Sequence, residues 1–144
     1  MTAQRVPLAG FNEWPAEQAA AALAPTLACE PWQRVLVAGR PYGSVRELAA
    51  TSDGVVLALG WPDVGTALVA EPEIVPPAVR ESAEAAAYLE RFGVPFVLEP
   101  TGRTAEQIEA VLAQRRVADE EDEQRAVRRE LAAIVRTRLA KTFA

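Results

Sequence analysis

The stretch DEEDEQRAVRRELAAIVRTRLAK (residues 119–141) predicts a long amphipathic helix. Acidic residues open it and basic residues close it, which is the charge order that a helix macrodipole favours. Val127, Leu131 and Ile134 follow one another at +4 and +3 steps and therefore share one apolar face. We expect this helix to pack along that face.

Arg138 occupies the next position of the same face, where another aliphatic residue is expected. A long basic side chain there either extends to the surface near the helix end, forms an internal ion pair, or points into a pocket. Arg115 repeats the pattern on the preceding predicted helix. Two such arginines on consecutive helices favour an anion-binding cleft for at least one of them.

Composition favours an all-α fold in one domain spanning residues 1–144. Alanine dominates the apolar residues, whereas large aromatic side chains are few: four Phe, three Trp and two Tyr.

Ser44 with Glu47 and Thr104 with Gln107 match capping boxes, and VPFVLEP (residues 94–100) reads as a buried extended connector. Helices are predicted over residues 15–25, 31–39, 44–59 (with a possible break at 52–54), 62–70, 77–93, 104–115 and 119–141.

The charged and reactive residues exclude several functions. A net charge of −5 argues against a nucleic-acid partner. The sequence has no histidine, which removes the usual acid–base group near neutral pH and the commonest metal ligand. The single Cys29 rules out an intrachain disulfide and suits a reducing cytoplasm, where we expect the protein to reside. No apolar run or signal sequence indicates a membrane location.

The second half of the chain carries many residues at the spacing of a known family. They are Tyr88, Phe92-Gly93, Pro95-Phe96, Gly102-Arg103, Ile108, Leu112, Arg115, Asp119, Glu123, Ala126, Glu130-Leu131, Ile134 and Arg138-Leu139. This set resembles the C-terminal half of the 2-oxo-4-hydroxy-4-carboxy-5-ureidoimidazoline (OHCU) decarboxylases, which act late in the oxidation of urate to allantoin. Looser matches in the first half are FN (11–12), ACEPW (28–32), RPYGSVREL (40–48) and WPDVGTALVAEPEI (61–74).

The resemblance implies an all-α homodimer that acts on a small-molecule substrate without a metal or organic cofactor. It also implies that Glu71 stands where the family has its catalytic histidine. The family's Ser-x-x-Glu-Gln motif, which supplies a catalytic glutamate, has no counterpart in this chain. The remaining substrate site implied by the resemblance is Pro72, the backbone of Phe96, Val97 and Leu98, and the terminal Arg138.

Decarboxylation needs groups that hold negative charge and an acid that delivers a proton to carbon. Arg138 and the backbone N–H groups of residues 96–98 could supply the first, with Arg115 as a further candidate for substrate binding. Glu71 could supply the second if burial or the neighbouring Glu73 raised its pKa. The alternative is that Glu71-Pro72-Glu73 is a solvated turn.

Three functions follow from these residues. The chain is a divergent enzyme that performs decarboxylation, or a related proton-transfer, ring-forming or isomerising reaction, on another small substrate, with specialised metabolism as its setting. Alternatively, it is a true OHCU decarboxylase of purine catabolism in which Glu71 replaces the histidine. A third possibility is a non-catalytic binding protein that has kept the fold.

Overall fold

The computed structural model describes residues 4–70 and 77–144, and every regular element in those ranges is a helix. This confirms the all-α prediction. The helices are α1 (Leu8–Glu13), α2 (Ala16–Leu23), α3 (Glu30–Ala38), α4 (Val45–Leu57), α5 (Trp61–Val69), α6 (Pro77–Arg80), α7 (Ala83–Phe92), α8 (Ala105–Arg115) and α9 (Glu120–Thr142). No described helix combines the length and the apolar character that crossing a membrane requires.

Contacts between residues divide the chain into two units. The first comprises Met1–Leu59 and Ala132–Ala144, and the second comprises Gly60–Leu131. Helix α9 therefore contributes its first half to the second unit and its second half to the first. The single domain over residues 1–144 stays a prediction.

In the first unit, the chain termini and α4 close an apolar core. The backbone of Val6 pairs with that of Thr142 and Ala144, and the Phe11 ring meets the Phe143 ring edge-on at 5.1 Å between centroids. Trp32 is fully buried, and its Nε1–H donates to Ser52 Oγ at 2.9 Å. That bond satisfies a buried serine inside α4, so the helix continues through residues 52–54, where the sequence suggests a break.

The helix ends follow the predicted capping residues in part. Thr104 and Gln107 form the complete reciprocal capping box. Ser44 Oγ accepts from the Glu47 N–H at 3.1 Å as predicted, but the Glu47 carboxylate accepts from the Gly43 N–H at 2.7 Å and not from Ser44. The second half of that predicted box is therefore wrong.

The single helix predicted over residues 77–93 is also wrong, because the structure divides it into α6 and α7. Ser82 separates them. Its hydroxyl accepts from the Ala85 N–H at 3.1 Å and caps a new helix. A serine that can bond the backbone in this way favours a helix start over a helix interior. Helix α7 ends as predicted at Gly93, whose φ of 74° is in the left-handed region that glycine adopts without strain.

Candidate functional site

The segment between α7 and α8 is extended and buried, as the sequence predicts. Val94, Phe96, Val97 and Leu98 are each at most 6 % exposed, and none belongs to a strand. The Phe96 ring packs edge-on against the Tyr88 ring at 5.4 Å between centroids. We call residues 94–100 the connector. Its apolar side chains pack in the core of the second unit. Polar contacts then set the orientation of its backbone.

Those polar contacts come from two charged side chains. Arg115 NH1 donates to the Val97 carbonyl at 2.9 Å, and the Glu99 N–H donates to Glu130 Oε2 at 2.9 Å. Within residues 4–70 and 77–144, no acceptor meets the N–H groups of Phe96, Val97 or Leu98. Buried backbone N–H groups are nearly always paired, so donors without an internal acceptor suit acceptor atoms of a bound ligand.

Arg115 itself is held by a buried ion pair. Its Nε lies 3.0 Å from both carboxylate oxygens of Glu123, and its NH2 lies 2.8 Å from Glu123 Oε2. Glu123 is 1 % exposed, and the Arg115 guanidinium also lies over the Phe96 ring, 4.9 Å from its centroid. This is the internal ion pair that the sequence left open as an alternative. All three guanidinium nitrogens have protein partners, and these contacts give Arg115 a structural role.

Tyr88 completes the cluster around Glu123. It is fully buried, and its hydroxyl donates a short hydrogen bond to Glu123 Oε2. Burial, followed by the hydrogen bond and the negative charge of Glu123, holds the pKa of Tyr88 well above its usual range. The tyrosine is therefore a neutral donor throughout the physiological pH range. Its proton helps to satisfy a carboxylate that has lost its hydration.

Arg138 lies in the first unit and is half-buried. Its NH1 donates to the carbonyl oxygen of Thr26 at 3.0 Å, so the guanidinium is turned toward the protein at the segment between α2 and α3. Thr26 is 2 % exposed, and its Oγ1 has no hydrogen-bond partner among the described residues. Arg138 is thus anchored to the backbone of a residue whose own buried hydroxyl has no partner among the described residues.

The remaining predicted site residues are Glu71, Pro72 and Glu73, and they lie outside the described residues. The structure consequently describes Phe96, Val97, Leu98 and Arg115 together in the second unit, and Arg138 with Thr26 in the first. In the ranges described, no group of three or more Cys, Asp or Glu side chains is placed to hold a metal ion.

Two open surface grooves contain none of the predicted site residues. A groove of about 500 Å³ in the first unit is lined by α2 and α3, and most of its wall is apolar. A groove of about 490 Å³ in the second unit lies beside the start of α7 and along α8, with Glu84, Glu106 and Glu109 on its wall. The described lining of the second groove has three carboxylates and no cation, so it does not suit an anionic substrate.

Sequence reasoning missed Thr26 and the parts that Glu123 and Glu130 play. Glu123 had a detectable signal, because it precedes Val127 and Leu131 at four-residue steps and so falls on the buried face of α9. A carboxylate at such a position predicts a cationic or hydroxyl partner. Thr26 gave no comparable signal, since a threonine after a proline is equally suited to an exposed turn.

Comparisons with known proteins agree with the fold. A family model described as OHCU decarboxylase matches residues 12–87 and 79–140. The structure is similar to a crystal structure of (S)-allantoin synthase, with a TM-score of 0.77 and 20 % sequence identity over 96 % of this chain and 54 % of that one. It is also similar to an OHCU decarboxylase crystallised in the presence of (S)-allantoin, with a TM-score of 0.72 and 19 % identity over 89 % of this chain and 97 % of that one.

The chain spans about half the length of the allantoin synthase structure and nearly the full length of the decarboxylase structure. At these identities the similarity shows a shared fold. No curated protein matches the sequence.

Proposed function

Because the chain belongs to the OHCU decarboxylase family, we propose that it is a divergent enzyme of that fold, acting on a small anionic or heterocyclic substrate. Its reaction is decarboxylation, or a related proton transfer or cyclisation, carried out without a cofactor. We further propose a cytoplasmic homodimer with a role in specialised metabolism. The family match across residues 12–140 supports the scaffold, and the composition of the chain supports the divergence.

The observation that carries the proposal is the complete absence of histidine from a chain of this family. The resemblance places Glu71 where the family has its catalytic histidine. A histidine can act as a cationic acid near neutral pH, whereas a glutamate can act only as a neutral acid or an anionic base. A site that binds a multiply anionic ureide tolerates that exchange poorly. A less highly charged substrate tolerates it better.

The proposed reaction assigns one task to each group. Arg138 binds the substrate carboxylate or a neighbouring oxygen, and backbone N–H groups of Phe96, Val97 and Leu98 hold the negative charge that develops. The bond to the carboxyl carbon breaks, CO2 leaves, and the electron pair stays on the substrate carbon. Glu71 in its protonated form, with Glu73 raising its pKa by charge repulsion, delivers the proton to that carbon.

The direct test measures CO2 release from freshly generated OHCU and from a panel of carboxylated heterocycles. We expect no acceleration with OHCU and turnover of at least one other compound. Turnover of OHCU that collapses in Glu71→Gln would instead identify a true OHCU decarboxylase. Absence of turnover with every compound, together with ligand binding that Glu71→Gln leaves unchanged, would identify a non-catalytic binding protein.

Arg138 and Arg136 provide a matched pair for the anion-binding role. Arg136 lies two residues earlier on α9, is more than half exposed, and pairs with Asp53 at 3.1 Å. We expect Arg138→Met to lower kcat/KM by about a hundredfold, because it removes a charge-assisted contact to the substrate, while Arg136→Met changes it by less than about twofold. If the two substitutions lowered kcat/KM equally, Arg138 would not be the anion-binding residue.

A further inference from the structure

The two peptide groups that flank Leu98 are each held by a charged side chain. The Val97–Leu98 peptide receives a hydrogen bond from Arg115 at its carbonyl oxygen, and the Leu98–Glu99 peptide donates its N–H to Glu130. Both bonds are 2.9 Å long, and both involve an ionised group, which makes them stronger than bonds between neutral groups. Leu98 is thus fixed from both sides.

The orientation of the Leu98 N–H follows from the geometry of the peptide group. In a planar trans peptide, the C=O and the N–H point in opposite directions. The only cis peptide among the described residues is Arg40-Pro41, so the Val97–Leu98 peptide is trans. With the Val97 carbonyl directed at Arg115, the Leu98 N–H points away from that guanidinium. It has no acceptor in the described part of the chain.

Arg115 is rigid enough to set this orientation. Two of its nitrogens are bound by Glu123, and its guanidinium plane lies over the Phe96 ring. Glu123 is in turn held by the Tyr88 hydroxyl. A guanidinium bonded to a carbonyl also polarises that peptide, which strengthens the N–H at its other side as a donor.

We propose that Arg115, Glu123 and Glu130, together the connector clamp, are positioning residues that hold the Leu98 N–H toward an oxygen atom of the substrate. This inference rests on the proposed function, in which the connector backbone binds substrate. In this inference Arg115 acts on substrate binding through the Val97–Leu98 peptide and does not contact the substrate. The clamp acts in substrate binding through the peptide groups on either side of Leu98, and its residues touch no substrate atom.

Glu130 allows a sharp test, because one of two uncharged substitutions keeps an accepting oxygen and the other lacks it. Glu130→Gln and Glu130→Met both remove the charge and keep the length and helix propensity of the side chain. Only the glutamine retains an oxygen that can accept from the Glu99 N–H. We expect amide hydrogen exchange at Glu99 in the ligand-free protein to accelerate by about tenfold or more in Glu130→Met and by less than about threefold in Glu130→Gln.

The second readout is the affinity of the same proteins for (S)-allantoin, followed by the amide signal of Leu98 in the ¹⁵N-labelled protein. We expect the dissociation constant to rise about tenfold in Glu130→Met and less than about threefold in Glu130→Gln. The exposed Arg125, which pairs with Asp122 on the same helix, gives the control substitution Arg125→Gln, for which no change is expected.

The outcomes separate this inference from the proposed function. If the Glu99 amide exchanges at the same rate in Glu130→Met and Glu130→Gln, the clamp is wrong, whatever the protein catalyses. A clamp detected by exchange in a wild-type protein that neither binds (S)-allantoin nor turns over any compound would overturn the proposed function and the substrate-directed part of the inference. A difference in thermal stability alone, with equal exchange at Glu99 and equal affinity for (S)-allantoin, would reduce Glu130 to a purely structural residue.

Discussion

Arg40 in the first unit and Arg115 in the second both bind backbone carbonyls with a guanidinium that lies over a phenylalanine ring. Arg40 donates to the carbonyls of Phe11, Trp14 and Val37, with its guanidinium carbon 5.6 Å from the centroid of the Phe11 ring. These carbonyls lie at or near the ends of α1 and α3, where helical carbonyls lack internal partners. Arg40 thus serves as a shared cap.

Arg115 differs in having a buried carboxylate partner. Its charge is matched by Glu123, which itself has almost no contact with water. The comparison shows two ways to keep a guanidinium inside a small helical protein. One uses neutral carbonyls and partial exposure to water, and the other uses a full ion pair. The second is costly to disrupt, because removing one partner leaves the other charged and buried.

The largest effect is expected for Arg115→Met. The substitution leaves Glu123 buried without its cation, and we expect the free energy of unfolding, measured with urea, to fall by about 3–5 kcal/mol. The double variant Arg115→Met with Glu123→Gln should recover part of that loss, since a neutral amide tolerates burial better. A double variant no more stable than the single one would show that the buried charge is not what distinguishes the two arginines.

A smaller effect is expected for Arg40→Met. Its loss leaves three neutral carbonyls that water can partly solvate, so the free energy of unfolding should fall by about 2 kcal/mol. Arg125→Gln is the control, for which no measurable change is expected because the Arg125–Asp122 pair is exposed. If Arg40→Met cost as much as Arg115→Met, neutral and ionic anchoring would be equivalent, and the comparison would fail.

The smallest effect is expected from ionisation of the two buried tyrosines. It changes stability only at alkaline pH and leaves the protein unchanged at neutral pH. The two tyrosines differ in the same way as the two arginines. Tyr42 donates to a neutral acceptor, the Leu36 carbonyl, and Tyr88 donates to the Glu123 carboxylate. Burial raises the pKa of both above the ordinary 10.0, and for Tyr42 the charge of Arg40 partly offsets that rise. The folded protein therefore holds both protons more tightly than the unfolded chain.

The stabilisation from this difference is complete below pH 10.0 and declines above it, until the pH passes the folded pKa. Tyrosinate absorbance should rise together with the loss of helical circular dichroism. The tyrosinate absorbance should rise at lower pH in Tyr88→Phe, which retains Tyr42, than in Tyr42→Phe, which retains Tyr88. Ionisation of either tyrosine near pH 10 in a protein that remains helical would contradict the burial argument.

Much of the local structure could be predicted from the sequence. The capping box at Thr104, the stop at Gly93 and the long amphipathic α9 depend on residues within a few positions of one another. The division at Ser82 and the Glu47 contact to Gly43 were missed because the side chain in each case has more than one backbone partner within reach.

The site was less accessible to sequence reasoning. The buried connector was predicted, whereas an inward-facing Arg115 or Arg138 was one of the alternatives left open, and the partner of neither arginine was predicted. Arg115 and Arg138 occupy equivalent positions in their helices, yet Arg115 finds Glu123, and Arg138 donates to the Thr26 carbonyl. Thr26 and Arg138 are separated by 112 residues, so no local pattern relates them.

The sequence by itself determined the fold class, the family and the absence of histidine chemistry, because these depend on composition, on periodicity and on the spacing of many residues. Only the tertiary structure decided that Arg115 is paired with Glu123 and which way the connector backbone faces. Both depend on burial and on atoms brought within 3 Å by distant parts of the chain. Hydrogen bonds and ion pairs are sensitive to such distances, whereas helix propensity is not.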